Sequence, residues 1–260
     1  LEAIAPHYAE VDRNIGLAYL QLGELPEAIQ RYEVAGRIDR VEQNWYDLGQ
    51  LYEMNRNPAN AAQAYETYLP LAVAYLNQHQ ERRAAHQDRG AEESVRLEDS
   101  LIKEALTRAR TAAGFLMSHY VASEDWESVK AAFQPWLKAQ PRDSQIHYFM
   151  GYAMQQLDDY KAAIDAYEAT LALDDRHAPA MNNLGVIYTE QNVQLDKAIV
   201  LIKQALALSP EDAPYYLDSL GWAYFKNGDQ EQAIQTLKTG IGQCPDNRPE
   251  ALAELYYHLG

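Results

Sequence analysis

The chain has 260 residues, of which 47% are hydrophobic and 10% aromatic, and it contains a single cysteine. Its formal net charge of -16 argues against nonspecific nucleic-acid binding and against binding to an anionic membrane surface, because both need clustered Lys and Arg. The longest apolar run, residues 68–76, is short and contains Pro70, so direct membrane insertion is not expected, and one cysteine excludes an internal disulfide.

The N-terminal region, residues 1–75, consists of helix pairs that repeat about every 34 residues. The first eight residues read as the tail of an upstream repeat, and residues 9–41 form the first full repeat. The second repeat, residues 42–75, carries Asn57-Pro58, a helix cap followed by a first-turn proline. We therefore predict one partial and two full repeats in this region.

Residues 76–109 have the length of one repeat but lose its pattern, because Arg82 and Arg83 occupy positions that are Leu and Gly elsewhere. We expect a degenerate repeat or a pair of extended helices here. His79 and His86 lie seven residues apart on one helical face, a spacing that does not suit two metal ligands at i and i+4. The sequence predicts that both are solvated.

Three further repeats occupy residues 110–143, 144–177 and 178–213. The first of them has Met117 where a glycine is usual and Trp136 where an alanine is usual. We expect these larger side chains to push the adjacent helices apart.

Residues 214–247 are the clearest copy of the repeat. A first helix stops at Asn227-Gly228, where glycine can take the left-handed cap conformation, and Asp229 can cap a second helix. Gly221 and Ala233 are small at the positions where two antiparallel helices approach most closely. Residues 214–247 therefore predict a helix–turn–helix unit.

The positions of the small and large residues in this unit resemble those of the tetratricopeptide repeat. They are Leu217, Leu220-Gly221 and Tyr224 in the first helix, Ala233, Leu237 and Gly240 in the second, then Pro245. Two departures are Leu217 for the usual Trp and Gly240 for the last Ala. The resemblance implies an all-α fold, a right-handed α-solenoid of antiparallel helix pairs, and strings such as Asp-Ser-Leu-Gly-Trp-Ala-Tyr are similar to those of bacterial members.

The resemblance implies one continuous solenoid over the whole chain. Residues 110–260 would hold four repeats plus a C-terminal helix, and Leu259-Gly260 matches the Leu220-Gly221 pair. Both chain ends then fall inside repeats, so we expect the sequence to be part of a longer protein. Its compartment stays open between the bacterial periplasm or envelope and the cytoplasm.

The sequence carries no recognisable catalytic constellation. Gly240-Ile241-Gly242 lacks the third glycine of a dinucleotide loop, and Ser219 lies in Asp-Ser-Leu-Gly rather than in a nucleophile elbow. Helix capping explains the pairs Asp158-Asp159 and Asp174-Asp175 without calcium. We expect no enzymatic activity, no cofactor and no metal.

In tetratricopeptide solenoids the first helix of each repeat lines a concave groove that binds a partner. Transferred to this sequence, that rule gives nine partner-binding residues in the C-terminal half: Tyr148, Phe149, Tyr152, Asn182, Asn183, Tyr215, Asp218, Trp222 and Phe225. Tyr224 is assigned to the packing between helices, whereas Tyr215 and Trp222 are left free for a partner. The alternative is that several of these rings belong to the core between repeats.

Acidic side chains outnumber basic ones along the expected groove, so a partner with a terminal carboxylate is disfavoured. Charge complementarity favours a neutral to basic protein or peptide with apolar anchors. The sequence thus predicts a non-enzymatic interaction scaffold or assembly factor. Two alternatives remain: a targeting or substrate-recruiting arm of a larger enzyme or of a secretion or envelope complex, and a self-assembling scaffold, that is, a homo-oligomer.

Overall fold

A computed structural model describes residues 5–245 and 249–259. Leu1 and Gly260, which support the predicted partial repeats at the two ends, lie outside these residues. The described ranges contain thirteen α-helices. They are α1 Ala5–Leu22, α2 Leu25–Ile38, α3 Glu42–Met54, α4 Pro58–Asp88, α5 Glu92–Ser123, α6 Trp126–Ala139, α7 Ser144–Gln156, α8 Tyr160–Leu173, α9 Ala178–Glu190, α10 Leu195–Leu208, α11 Ala213–Lys226, α12 Gln230–Gln243 and α13 Pro249–Leu259.

The helices divide between two compact units, Leu1–Pro141 and Arg142–Gly260, called here the first and second unit. In both units consecutive helices pack as pairs: α1 with α2 and α3 with α4 in the first, α7 with α8, α9 with α10 and α11 with α12 in the second. The predicted all-α fold of helix pairs is confirmed. The predicted division at residues 75 and 109 differs from the division into units, and both positions lie inside helices, α4 and α5.

Small residues let the two helices of a pair approach each other. A β-carbon added at Gly221 would lie 2.5 Å from Cγ of Leu237 on the partner helix, and one added at Gly49 would overlap the ring of Tyr65. The close approach predicted at Gly221 is confirmed. Large side chains of the second helix fill the space that the glycines leave, which is the interdigitation that dense cores require.

Local capping explains where several helices begin. Asp229 Oδ1 accepts a hydrogen bond from the backbone N–H of Gln232 at 3.1 Å, and Asn57 Oδ1 accepts one from Asn60 at 3.2 Å. Gly228 ends the preceding helix with a φ of 85°, in the left-handed region that glycine adopts without strain. These caps agree with the sequence prediction.

The first unit contains two long helices, α4 with 31 residues and α5 with 32, which pack against each other. Helix α4 continues through Pro70 in its interior. His79 on α4 is buried, with its Nδ1 2.5 Å from Oε2 of the equally buried Glu98 on α5. The prediction of a solvated His79 is therefore wrong, because a carboxylate from the neighbouring helix replaces water as its partner.

Helix α6 packs against both long helices rather than against one partner only. It carries its own interior proline, Pro135, and it buries Phe133 and Trp136. The larger residue at position 136, where alanine is usual, thus contributes to the core of the first unit.

Candidate functional site

All nine predicted partner-binding residues lie in the second unit, on α7, α9 and α11, the first helices of three consecutive pairs. Helix α9 packs beside α11, and α11 beside α13. The second helices of the pairs, α8, α10 and α12, each pack against the first helix of their own pair. The nine residues form two groups, one on α7 and α9 and the other on α11.

The first group, the tyrosine–asparagine patch, consists of Tyr148, Phe149 and Tyr152 on α7 and Asn182 and Asn183 on α9. The Tyr148 ring lies 6.0 Å from the ring of Phe149, centroid to centroid. All five side chains are partly buried. The patch therefore combines aromatic surface with amide groups at the protein surface.

A hydrogen-bond chain holds Asn183 in place. Its Nδ2 donates to the hydroxyl of Tyr167 at 3.2 Å, and that hydroxyl donates to Oε1 of Gln155 at 2.9 Å. Burial raises the pKa of Tyr167 well above its usual range, and it raises the pKa of Tyr148 to about 12. Both hydroxyls stay protonated at neutral pH and can act as donors.

Asn182 has a carbonyl oxygen, Oδ1, that is buried and accepts no hydrogen bond from the part of the chain that the structure describes. Its Nδ2 points to Oδ1 of Asn183 at 3.5 Å. A buried acceptor without a donor costs roughly 1–3 kcal/mol. A donor supplied by a bound segment, such as a peptide N–H, would remove that cost.

An open cleft of about 410 Å³ lies beside Tyr148, at the start of α9. His177 caps α9 by accepting a hydrogen bond from the backbone N–H of Ala180 through Nδ1, and its ring lies 4.6 Å from the Tyr148 ring. Burial lowers the pKa of His177, so the ring is neutral at neutral pH and its Nδ1 is able to accept. The cap thus fixes one wall of the cleft.

The second group, the tryptophan patch, consists of Tyr215, Asp218, Trp222 and Phe225 on α11 together with His258 on α13. The Trp222 ring stacks on Phe225 at 5.3 Å and on His258 at 4.9 Å, with interplanar angles of 14° and 18°. Phe225 is 48% exposed and Tyr215 is 38% exposed. The patch is an aromatic surface open to solvent.

Trp222 is held in this orientation from several sides. Its Nε1 donates to Oε1 of Glu190 on α9 at 2.7 Å, and the ammonium of Lys226 lies 5.2 Å from its ring centroid. The sequence predicts that Trp222 is free for a partner. That prediction is wrong for the indole N–H, which already donates a hydrogen bond within the chain. Its ring remains partly exposed and fixed in orientation.

Asp218 lies beneath the aromatic surface and is only 7% exposed. Its Oδ1 lies 2.8 Å from Nδ1 of His258. Burial raises the pKa of Asp218, whereas the hydrogen bond and the charge of His258 act in the opposite direction. Asp218 therefore orients the His258 ring, and it would influence a partner through that ring.

Two residues of this site were missed from the sequence: His177 and His258. His258 had a detectable signal, because it precedes Leu259 as Asn183 precedes Leu184 and Ser219 precedes Leu220, the positions used to assign the groove. Glu190 is one of the acidic residues that the sequence places along the groove, whereas His177 lies directly before α9 and has no such marker.

Within the described residues, no group of three or more His, Cys, Asp or Glu side chains is arranged to hold a metal ion. Every described helix is too short or too polar to cross a membrane.

Two family models, both described as tetratricopeptide repeat, match residues 150–213 and 191–256. These ranges cover most of the second unit and include α9 and α11. The family model matches thus fall on the part of the chain that carries most of the candidate site.

Relatives with curated names match parts of the chain. The TPR repeat-containing protein PA4667 of Pseudomonas aeruginosa is 27% identical over 138 residues, 53% of this chain and 22% of that protein. The photosystem I assembly protein Ycf3 of Prochlorococcus marinus is 30% identical over 35% of this chain and 54% of its own length. The BBSome complex member BBS4 of Bos taurus is 33% identical over 40% of this chain and 20% of its own length.

The chain thus spans between a fifth and about half of the length of these relatives. Two solved structures resemble it over nearly its whole length. A chain of the APC/C hetero-tetramer Cut9-Hcn1 has a TM-score of 0.56, with 17% identity over 98% of this chain and 43% of that one. A structure titled for Pseudomonas aeruginosa pilF has a TM-score of 0.53, with 16% identity over 97% of this chain and 98% of that one.

Proposed function

Because the chain is a tetratricopeptide-repeat protein, we propose that it is a non-enzymatic scaffold or assembly factor that binds a segment of a partner protein. The segment would lie across the row of first helices α7, α9 and α11, in contact with both patches. Tetratricopeptide repeats serve protein–protein interaction and assembly, so the general class follows from the fold. The groove and the kind of partner are the parts that we propose.

The observation that carries the proposal is the fixed, partly exposed aromatic surface around Trp222. Its indole is held by Glu190 and His258, so little side-chain freedom would be lost when a partner packs against it. Aromatic residues that are ordered before binding are typical interface anchors, each contributing about 2 kcal/mol or more. Phe225 extends the same surface into solvent.

The tyrosine–asparagine patch would contribute hydrogen bonds to the backbone of the bound segment. Asn182 offers a buried acceptor, and the amide of Asn183 is already oriented by Tyr167. An extended peptide presents N–H and C=O groups in alternation, so amide side chains can pair with it whatever its sequence. The aromatic patch would then select apolar side chains.

The charge of the chain supports a neutral to basic partner. The net charge is -16, and Glu190 is exposed beside Trp222. Electrostatic complementarity of this kind raises association rates more than final affinity, and it weakens at higher salt. A partner that binds faster at low ionic strength is therefore expected.

The names of two relatives agree with an assembly role, since one is an assembly protein for photosystem I and another is a member of the BBSome complex. Those roles belong to those proteins. They support the class of function proposed here and say nothing about which partner this chain binds.

The test uses a Tyr152→Ala, Trp222→Ala double variant. A partner recovered with the wild-type chain by crosslinking from the native organism is purified, and its Kd is measured by calorimetry. We expect the double variant to bind at least about tenfold more weakly, since the loss of one anchor alone is worth about 2 kcal/mol.

Tyr160→Ala is the matched control, because Tyr160 is an aromatic residue of the same unit but lies at the start of the second helix α8. Circular dichroism confirms that each variant is folded. The groove proposal fails if the folded double variant keeps the wild-type affinity, or if Tyr160→Ala weakens binding as much.

A further inference from the structure

Two of the helices of the first unit contain an interior proline, and both prolines line the same cleft. Pro70 lies within α4 and Pro135 within α6. The cleft, of about 340 Å³, lies where α4, α5 and α6 meet, and its wall also includes Glu66 and Ala131. Glu66 and Ala131 each stand four residues before one of the prolines.

This spacing leaves two backbone acceptors at the cleft. Proline has no N–H, so the carbonyl four residues earlier loses its donor within the helix. Pro70 thus frees the carbonyl of Glu66, and Pro135 frees the carbonyl of Ala131. A free carbonyl at the surface of a cleft attracts a hydrogen-bond donor from outside.

The two hydroxyl groups at the cleft already donate hydrogen bonds within the chain. The hydroxyl of Tyr120 donates to Oε1 of Glu66 at 2.7 Å, and the hydroxyl of Ser128 donates to Oδ2 of Asp125 at 2.6 Å. Burial and the neighbouring Glu66 carboxylate raise the pKa of Tyr120, so it keeps its proton for that bond. Both hydroxyl donors are therefore used within the chain.

What remains for a ligand is one carboxylate, two carbonyls and an apolar wall that includes Leu69 and Ala132. None of the lining residues is a lysine or an arginine. The cleft of about 340 Å³ has room for one long side chain.

We propose that this cleft binds an arginine side chain of a partner protein. The guanidinium carries a positive charge and five N–H donors in one plane, so it can reach acceptors on two helices at once, and its aliphatic stem fits the apolar wall. A lysine ammonium is a compact point charge, so it would satisfy fewer of these acceptors. This site lies in the first unit and does not depend on the groove proposed in the second.

The experiment is an NMR titration of the ¹⁵N-labelled chain with N-acetyl-arginine amide. We expect the largest shifts at the amides of Leu69, Ala131 and Ala132. N-acetyl-citrulline amide, which has nearly the same shape without the charge, should give shifts at least about fivefold smaller at equal concentration. N-acetyl-lysine amide should bind more weakly than the arginine derivative.

Two variants test the acceptors one at a time. Glu66→Gln removes the charge but keeps an oxygen that can accept from Tyr120, and Pro135→Ala restores an N–H that claims the carbonyl of Ala131. Each should raise the Kd for N-acetyl-arginine amide about three- to tenfold. Glu81→Gln is the control, since Glu81 is exposed on the same helix α4 and does not line the cleft.

Pro135→Ala should keep or raise the melting temperature, so that weaker binding there cannot be ascribed to unfolding. Three results would overturn the proposal: citrulline or lysine derivatives that bind as well as arginine, shifts spread over the acidic surface rather than centred on the cleft, or Glu66→Gln and Pro135→Ala variants that bind like Glu81→Gln.

Discussion

At the scale of single residues, the packing of a helix pair depends on whether there is space for a β-carbon at each glycine. Gly49 on α3 faces the ring of Tyr65, which is fully buried, whereas Gly114 in the interior of α5 has no atom within 4 Å of the place where its β-carbon would be. The same substitution should therefore have opposite effects at the two positions.

We predict that Gly49→Ala destabilises the chain by up to about 2 kcal/mol. Alanine gains about 1 kcal/mol of helix propensity, but displacement of a packed ring costs about 1–3 kcal/mol. Gly114→Ala should stabilise by about 0.5–1 kcal/mol, because only the propensity gain applies. Urea unfolding followed by circular dichroism measures both. A Gly49→Ala variant as stable as Gly114→Ala would contradict this account of the close approach.

Residue identity predicted some contacts and missed others for a physical reason. Gly221 contacts the paired helix of its own repeat, and Asp229 caps a helix three residues away, so the repeat pattern reveals both. His79 was misjudged because its partner, Glu98, comes from another helix in a segment where the repeat pattern fails. The stack of His258 on Trp222 likewise joins residues far apart in sequence.

At the scale of helices, α4 and α5 differ most from the repeat pattern. Proline within α4 indicates a helix end near residue 70, yet the helix runs to Asp88, and contacts with α5 such as His79–Glu98 lie beyond the proline. Tertiary packing thus outweighs the cost of an interior proline, about 3 kcal/mol. Sequence periodicity could not predict that these two long helices pack against each other. A pair of extended helices was nevertheless one of the two alternatives for residues 76–109.

The buried pair His79–Glu98 joins these helices and gives a second prediction. Glu98→Leu should destabilise the chain by about 1–3 kcal/mol, because it leaves a buried polar histidine without its partner. The double variant His79→Leu, Glu98→Leu should recover most of that loss, since two apolar side chains of similar size can pack in the same space.

Asp99→Ala is the control for this pair, because Asp99 forms an exposed ion pair with Arg83 between the same two helices. An exposed pair of this kind contributes only about 0–1 kcal/mol. The same urea unfolding experiment measures all three variants. A double variant less stable than Glu98→Leu would show that the pair is needed as such, contrary to the prediction.

At the scale of the whole molecule, the division into two units predicts independent folding. The second unit has its own core, in which Tyr167, Leu184, Ile187 and Tyr188 are almost completely buried. Residues 142–260 expressed alone should therefore be helical and unfold cooperatively, as repeat arrays held by nearest-neighbour contacts do. Circular dichroism during a thermal scan gives the measurement, and a segment with helical signal but no cooperative transition would contradict it.

The helix-pair architecture follows from the sequence, because each repeat contains its own helix caps and the small and large residues that let its two helices pack closely. The surface that meets a partner is less predictable. The repeat pattern selects the helix face on which Tyr148 and Trp222 lie, but the hydrogen bond to Glu190 and the depth at which Asp218 lies arise only when neighbouring helices pack.

The turn between the long helices has a practical consequence. Helix α4 has 31 residues and is about 46 Å long, whereas its partner α3 has 13 residues and is about 20 Å long. Arg89 and Gly90 at the turn are exposed, and Gly90 has no atom near its β-carbon position. Exposed turns of this kind accept inserted sequence. A fluorophore or an affinity tag placed at Arg89, whose backbone is right-handed, would leave the two proposed binding surfaces unchanged, so surface immobilisation through this turn is suited to measuring binding at either of them.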